Sequence, residues 1–490
     1  MCTHESRCVQ HAGGARWKPA SFCVTHLTGR IVVVRLPPIL LECNVTRAAA
    51  VPICPLLVSG LVALAVGVSA CGKGGDAPAK GARSATATDS ATARVAATPQ
   101  RVARPDSVRA LYVNGWASGS HSRMAELVRI ADATEINTFI IDVKESDTFL
   151  TYDGTAIPLA KEIGADQRPA TKWLRTLIDT LRVHKIYSVA RIVVFKDRML
   201  AEKKPEFAIR HVNGGLWRDK KGGAWVNPYD QRVWEYNVAI AKEAIEMGFS
   251  EVQWDYVRFP DVTNTMRATM TYPGANGKTR QDNIRDFILY SKKALASYQV
   301  PVTADVFGLV THDVADVQIG QHWETVITAA DAVLPMVYPS HYANGHYGFP
   351  RPGAVPYQLI RVALTDAVVR TKFVADSAKV PVGEIRPWLE AMSIRGNEYG
   401  PAEVRAQIQA TYDAGLKSWA LWSPGSKFEP FIGALRPASG GLSPIEKSGW
   451  KAPTWTPAPS LLSAVTQQRE ARLHPKVVAP APVAPAKRGG

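Results

Sequence analysis

The segment EVQWDYVRFP, residues 251–260, decides the fold. Apolar and β-prone residues lead up to an acid, Asp255, and the run stops at Pro260, which cannot continue a hydrogen-bonded ladder. Helical patterns precede and follow this segment, so it predicts one strand of a β/α alternation. Because such folds place their chemistry at the carboxyl ends of parallel strands, Asp255 is a candidate active-site carboxylate.

Outward from this segment, the alternation continues in both directions. The predicted strands are 110–116, 138–144, 187–195, 251–259, 302–307, 332–338, 385–392 and 418–422, and the predicted helices are 121–133, 172–184, 231–247, 281–298, 355–369 and 401–414. Eight strands with intervening helices predict an α/β fold, a (β/α)8 TIM barrel with enlarged loops. The main alternative is a doubly wound open sheet. That fold would normally carry a Gly-rich phosphate turn after its first strand, and Asn114-Gly115-Trp116 is not one.

Charge and cysteine content exclude several classes of function. The net charge is +15, but residues 111–430 hold 37 Lys and Arg against 36 Asp and Glu, so the basic excess lies outside the predicted barrel. No basic cluster indicates a nucleic-acid-binding face, and nucleic acid is not an expected partner. All six cysteines fall within the first 71 residues, which excludes a cysteine nucleophile from the barrel.

An apolar segment precedes the barrel. Residues 51–70 carry no charge, and Val68-Ser69-Ala70-Cys71 resembles a bacterial lipobox, in which the cysteine is lipidated. We interpret residues 45–71 as a lipoprotein signal peptide, with a plain membrane anchor or an ordinary signal peptide as alternatives. The resemblance implies a cell-envelope location, at the outer membrane or facing the periplasm, with the membrane as a partner through Cys71. Residues 1–44 fit a signal peptide poorly, and we interpret them as an upstream extension from a mis-assigned start codon.

Two segments of low complexity flank the predicted barrel, which we place at residues 110–436. Residues 72–109 are rich in Gly, Ala, Ser, Thr and Pro, and they predict a flexible linker, because few of their side chains can bury apolar surface. Residues 437–490 are rich in Pro and Ala and predict a disordered tail, in which Trp450 and Trp455 have no evident role.

Polar and aromatic residues occur at nearly every predicted strand end. In chain order they are Asn114, Trp116, Asp142, Lys144, Glu145, Arg191, Asp255, Tyr256, Arg258, Asp305, Tyr338, His341, Glu390 and Trp422. In a barrel these side chains would converge on one mouth. Carboxyl pairs from different strands suit the cleavage of a glycosidic bond, which needs a proton donor and a second carboxylate. Aromatic rings would bind sugar faces, and an Arg would keep one acid ionised while burial raised the pKa of the other.

Structural roles are the alternatives for several of these residues. Asp142 and Lys144 could form an ion pair at the rim, and Arg258 could pair with Asp255. Tyr256 and Trp254 could pack between the barrel and its helices, because alternate strand residues face outwards. His312, His341 and His346 lack a close metal-ligand spacing, so neither a metal nor another cofactor is expected.

Seven stretches carry a resemblance to a known family. They are ALYVNGW, NTFIIDVKE, SVARIVVFKD, EVQWDYVRFP, TADVFG, LPMVYPSHY and ALWSPG, in this order across residues 110–425, with EVQWDYVRFP the most specific. They resemble a bacterial family of predicted glycoside hydrolase domains, long catalogued as a domain of unknown function and related to α-amylase-type barrels. The resemblance implies a (β/α)8 fold and hydrolysis of an O-glycosidic bond in a poly- or oligosaccharide.

The resemblance also implies roles for particular acids. The fourth strand of amylase-like barrels carries the nucleophile, which corresponds to Asp255, and the acid usually follows on the next strand. Asp305 is the acidic candidate there, where amylases have Glu, and Glu145 and Glu390 are alternatives. The other strand-end residues would contact the sugar. A non-catalytic carbohydrate-binding envelope lipoprotein is the alternative function, and a structural envelope protein is a third hypothesis.

Overall fold

The computed structural model describes residues 100–145 and 149–473, together with the backbone of residues 22–27 and 30–35. The predicted signal peptide, Cys71 and most of the predicted linker lie outside the described residues. In the first of two compact units, residues 1–91, the strands Phe22–Leu27 and Arg30–Arg35 form an antiparallel hairpin. Within the described part of the chain, no helix has the length and apolar character needed to span a bilayer.

Eight parallel strands of the second unit close into a barrel. They are β1 (Arg109–Val113), β2 (Thr138–Lys144), β3 (Tyr187–Val193), β4 (Glu251–Asp255), β5 (Val302–Phe307), β6 (Ala332–Met336), β7 (Trp388–Glu390) and β8 (Trp419–Trp422). Each strand pairs with the next in sequence, and β8 pairs with β1 to close the ring. A short strand, Glu384–Ile385, precedes β7 and pairs with β6. The predicted (β/α)8 TIM barrel is therefore confirmed.

Helices cover the outside of the barrel, so the strands are buried on both faces. The helices are Gly115–Gly119, His121–Ala133, Pro158–Ile163, Leu174–Val183, Arg198–Lys203, Gln231–Glu246, Asn264–Arg267, Arg280–Leu295, Trp323–Ile327, Pro356–Ala378, Pro401–Asp413, Pro444–Lys447 and Ala464–Leu473. All five residues of β4 are buried. Trp254 faces outwards, where its indole nitrogen donates to Ser291 at 3.0 Å, so its neighbours Gln253 and Asp255 face the barrel interior.

Several strands end earlier than predicted, which changes where their last side chains point. Strand β4 ends at Asp255 because Tyr256 adopts a left-handed backbone conformation, with φ 48°. Strand β1 ends at Val113 because Asn114 caps the helix that begins at Gly115, accepting a hydrogen bond from the Ala117 amide.

The packed domain extends beyond both predicted boundaries, 110 and 436. Val108 is fully buried, and its amide donates to the Ser418 hydroxyl at 2.9 Å. Beyond residue 436, Trp450 and Trp455 pack against the core, and helix Ala464–Leu473 packs on helix Pro356–Ala378. The predicted disordered tail therefore differs from the structure over residues 437–473, because its few apolar residues find partners on the barrel.

Candidate active site

A cavity of about 450 Å³ lies at the carboxyl ends of the barrel strands. Eight of the predicted site residues line it: Arg191, Asp255, Tyr256, Arg258, Asp305, Tyr338, His341 and Trp422. The barrel topology thus brings together side chains from five strands or the loops that follow them, as expected for the catalytic face of this fold.

Arg191, on β3, connects the acids of the neighbouring strands. Its Nη1 atom pairs with Asp142 on β2, and its Nη2 atom pairs with Asp255 on β4. Its Nε atom lies 3.8 Å from Oδ2 of Asp305 on β5. Burial opposes the charge of Arg191, but Asp142 and Asp255 outweigh it and raise the pKa of the guanidinium.

The shared guanidinium also limits the separation of the two acids in the cavity. Since Asp255 is in direct contact with it and Asp305 lies 3.8 Å from it, their facing oxygens are at most about 9 Å apart across this compact planar group. Glycosidases place their two carboxyl groups ~5–5.5 Å apart for retention or ~6.5–9.5 Å apart for inversion. The pair is therefore within hydrolytic reach.

Asp305 is the most deeply enclosed acid of the cavity, with 1 % of its surface exposed. The side-chain amide of Gln253 donates to both of its oxygens, at 2.9 and 3.0 Å, and the Trp388 indole donates to one at 2.8 Å. Burial, followed by the negative charge of Asp255, raises the pKa of Asp305 well above its usual value. Asp305 is thus easier to protonate than an exposed aspartate.

Asp142 lies beneath the cavity and supports Arg191 rather than lining the space. The Tyr112 hydroxyl donates to its Oδ2 atom at 2.5 Å, and the Arg191 guanidinium stacks on the Tyr112 ring at 5.3 Å. Burial raises the pKa of Asp142. Sequence reasoning missed Tyr112, although its place two residues before Asn114 puts it on the same face of β1.

The turn after β4 positions Asp255. The Tyr256 backbone amide donates to Oδ1 of Asp255 at 2.5 Å, while Oδ2 faces Arg191. A tyrosine with φ 48° is conformationally strained, and such strain is common where a fold holds a functional side chain. Both oxygens of Asp255 are therefore fixed by donors.

Aromatic rings form another wall of the cavity. Tyr338 and Trp422 are stacked, with ring centroids 4.8 Å apart and 25° between planes, and His341 lies 5.4 Å from Tyr338. Burial and the positive charge of Arg395 lower the pKa of His341, which keeps its imidazole neutral near pH 7. A flat, mostly apolar wall of this kind suits the face of a sugar ring.

Lys144 does not occupy the position that was predicted for it, either as a substrate contact or as an ion-pair partner of Asp142. It is fully buried, 2.6 Å from Asp197 and 3.0 Å from the Asn237 side chain on helix Gln231–Glu246. The register of β2 against β3 shifts between Asp142 and Lys144, so the two side chains do not stay on one face. Its pair with Asp197 holds the barrel against its helices.

Four other predicted residues also lie outside the cavity lining. Asn114 caps a helix and donates to the Pro424 carbonyl at 2.8 Å, while Glu145 accepts from the Gly115 amide at 2.8 Å. Glu390 is fully buried and accepts from the Ser340 amide at 3.0 Å, and Trp116 is 78 % exposed. These positions differ from the predicted acid or substrate roles because short turns after the strands direct the side chains onto backbone groups or into solvent.

The structure adds cavity residues that the strand-end pattern did not identify: Asp261, Phe307, Gly308, Leu309, Met336, Tyr342, Trp388 and Arg395. Most lie in the loops that follow β4 to β7, where no periodicity locates a side chain. Trp388 begins β7, and only the three-dimensional register places its indole beside Asp305. In the described part of the chain, no three His, Cys, Asp or Glu are grouped so that they could hold a metal ion.

Solved structures with a similar fold include glycoside hydrolases. The PgaB (BpsB) glycoside hydrolase domain from Bordetella bronchiseptica is 11 % identical, with a TM-score of 0.50 over 67 % of this chain and 99 % of that one. A hypothetical protein from Ruminiclostridium thermocellum is 38 % identical over 40 % of this chain and 97 % of its own, with a TM-score of 0.37. No curated protein sequence matches the chain significantly.

Residues 110–428 match the model of a family described as "putative glycosyl hydrolase domain". Because the match spans the whole barrel, the chain belongs to this family, as the sequence motifs predicted. The class of the protein is therefore a glycoside hydrolase, an enzyme with a TIM-barrel fold.

Proposed function

We propose that this enzyme cleaves O-glycosidic bonds of a poly- or oligosaccharide with Asp255 and Asp305 as its carboxylate pair. The observation that carries the proposal is that Arg191 lies against both acids in one cavity while their environments differ. Asp255 forms a salt bridge with Arg191, whereas burial raises the pKa of Asp305. Glycosidic cleavage requires two carboxyl groups in one site, one of which donates a proton.

Asp305 acts as the general acid in this proposal. It donates its proton to the glycosidic oxygen as the bond to the anomeric carbon breaks, so that the leaving sugar departs as a neutral alcohol. Asp255, held by Arg191 and the Tyr256 amide, attacks the oxocarbenium-like centre or stabilises its positive charge. Asp142 keeps Arg191 in place from the opposite side.

The aromatic wall supports a sugar as the ligand of the cavity. The stacked rings of Tyr338 and Trp422 offer an apolar platform, and the cavity volume of about 450 Å³ lies within the ~300–1,000 Å³ of ordinary ligand pockets. A cavity of this volume holds a few sugar units, so a longer chain would continue into solvent.

The direct test is turnover of a glycan panel by the purified protein beside its Asp255→Asn variant. We expect the native protein to release reducing ends from at least one glycan class, and the variant to release none. Binding of the same glycan by both proteins, with release by neither, would contradict hydrolysis. Equal release by both would instead remove Asp255 from the mechanism.

We propose that the enzyme works in the cell envelope, anchored through a lipid on Cys71. Support comes from the sequence Val68-Ser69-Ala70-Cys71 after an uncharged apolar run. Labelled palmitate should be incorporated by the native precursor and not by its Cys71→Ala variant. Equal labelling of both proteins would contradict the assignment.

A further inference from the structure

Arg258 occupies an unusual position in the wall of the cavity. Only 8 % of its surface is exposed, and three aromatic rings surround its guanidinium: Phe307 at 4.6 Å, Tyr256 at 4.8 Å and Trp225 at 5.2 Å. The rings hold the cation by cation–π attraction and fix its orientation. The side chain nevertheless lines the cavity.

The charge of Arg258 is not matched by an acid in contact with it. Among the described residues, no Asp or Glu lies within 4 Å of its guanidinium, so it does not form the predicted pair with Asp255. Its Nη1 atom donates to the Phe259 carbonyl at 2.9 Å. Burial lowers the pKa of Arg258, and the charges of Tyr256, Asp255 and Asp261 offset only part of this effect. A buried cation is costly without a counter-ion, and an anion in the cavity would offset that cost.

A second cation, Arg395, lines the same cavity from the loop that follows β7. Its backbone adopts φ 54°, and its Nη1 atom donates to the Ser340 carbonyl at 3.1 Å. No ion pair joins it to an acid within the described residues. Of the three arginines that line the cavity, Arg191 is paired with Asp142 and Asp255, whereas Arg258 and Arg395 have no acid within 4 Å among the described residues.

We propose that the substrate is an acidic saccharide whose carboxylate binds to Arg258, with Arg395 adding long-range attraction. The guanidinium presents a planar fork of donors that matches a carboxylate, and the side chain lines the cavity. This inference rests on the proposed function, since it names the substrate class of the same cavity.

The test compares ligands that differ only by the carboxylate. Oligogalacturonates and their carboxyl-reduced counterparts form one pair, and oligoglucuronates with theirs form a second. Calorimetry would use the Asp305→Asn variant, since an amide carries the same charge as a protonated carboxyl group and slows turnover during titration. We expect the acidic member of one pair to bind about 10- to 100-fold more tightly than its neutral partner, with affinity falling as KCl rises.

Substitution of Arg258 then tests whether this residue causes the preference for the acidic ligand. Adding Arg258→Gln should reduce the acidic-to-neutral ratio to near one, and Arg258→Lys should restore part of it. The matched control is Arg285→Gln on the helix Arg280–Leu295, which removes the same charge outside the cavity lining and should leave the ratio unchanged.

Equal binding within both ligand pairs would overturn the inference, whatever the fold of the Arg258 variants. An acidic preference that survives Arg258→Gln would overturn the assignment of the carboxylate to this residue. Neither result depends on hydrolysis, so a native protein that binds the acidic ligand without releasing reducing ends would contradict only the proposed function.

Discussion

The two ends of the barrel interior hold clusters of the same residue types with different charge balance. At the amino end, Arg386 pairs with Glu251 at 2.7 Å and with Glu384 at 3.1 Å, and Arg104 pairs with Glu384 as well. At the carboxyl end, Asp142, Asp255 and Asp305 share Arg191. At the amino end, two acids have two arginines between them. At the carboxyl end, the three acids Asp142, Asp255 and Asp305 share one arginine, Arg191.

This difference suits the amino-end cluster to a structural role and the carboxyl-end cluster to the proposed catalytic role. At the amino end, burial opposes ionisation of Glu384, but Arg386 and Ser418 outweigh it and lower its pKa. At the carboxyl end, burial and then the negative charge of Asp255 raise the pKa of Asp305, and Arg191 does not offset them. In the proposed mechanism Asp305 holds the proton that is transferred, and the cavity gives a substrate access to it.

The largest expected effect is on turnover, at the carboxyl end. Asp255→Asn should lower kcat by about 10³-fold or more, because an amide can neither attack the anomeric centre nor balance its charge. The change is nearly isosteric, and the partly exposed Arg191 keeps Asp142 in contact and Asp305 at 3.8 Å, so the unfolding midpoint in urea should stay close to that of the native protein. A variant that unfolds readily would assign Asp255 a structural role like that of Glu251.

The matched substitution at the amino end should affect stability instead. Glu251→Gln leaves the fully buried Arg386 without one of its two carboxylates, and it should reduce the free energy of unfolding by about 3 kcal/mol. Urea denaturation measures this change, and kcat per folded molecule should be retained. A large loss of kcat with normal stability would contradict the separation of the two ends.

The comparison of the two ends also predicts how the thermal stability of the Asp305→Asn variant depends on pH. Because the pKa of Asp305 is raised in the folded protein, its protonated form stabilises the fold at low pH, and that stabilisation is lost as pH rises through the folded pKa. The variant should therefore have a higher Tm than the native protein at alkaline pH and a similar Tm at acidic pH.

The same variant should lose the alkaline limb of the kcat/KM profile, since activity no longer requires a proton on this group. Aryl glycosides with good leaving groups should be cleaved with much smaller loss than natural glycans, because they need little protonation. An unchanged alkaline limb would assign the acid to another group.

Much of the barrel could be predicted from the sequence because its signal is local. Strand β2 and the helix His121–Ala133 have the predicted bounds, since buried apolar runs and capping residues determine both. The predicted strand ends were less accurate where a single residue leaves the extended conformation. Tyr256 is the clearest case, because nothing in its residue type requires a positive φ.

Only the site residues that lie on strands could be predicted, because side chains alternate between the two faces of a strand. Arg191, Asp255 and Asp305 lie on the inward face of adjacent strands, so their convergence follows from the fold. Trp388 and Arg395 depend on register and loop conformation, which the sequence pattern does not encode. Lys144 does not reach the predicted site, because the register of β2 shifts between Asp142 and Lys144 and the Lys144 side chain points away from the interior.

The smallest effects are expected from two tryptophans, Trp422 in the cavity wall and the exposed Trp116, and they test how far substrate binding extends. Trp422→Ala should raise KM about tenfold, because it removes half of the stacked wall, with little change in kcat. Trp116→Ala should change KM by less than about twofold, since surface substitutions outside a site have small effects.

The two variants are compared by steady-state kinetics on short and long chains of one glycan. If Trp116→Ala weakens only the long chain, substrate binding continues beyond the cavity onto the loop that follows β1. If it has no effect on either, the cavity holds the whole of the recognised saccharide.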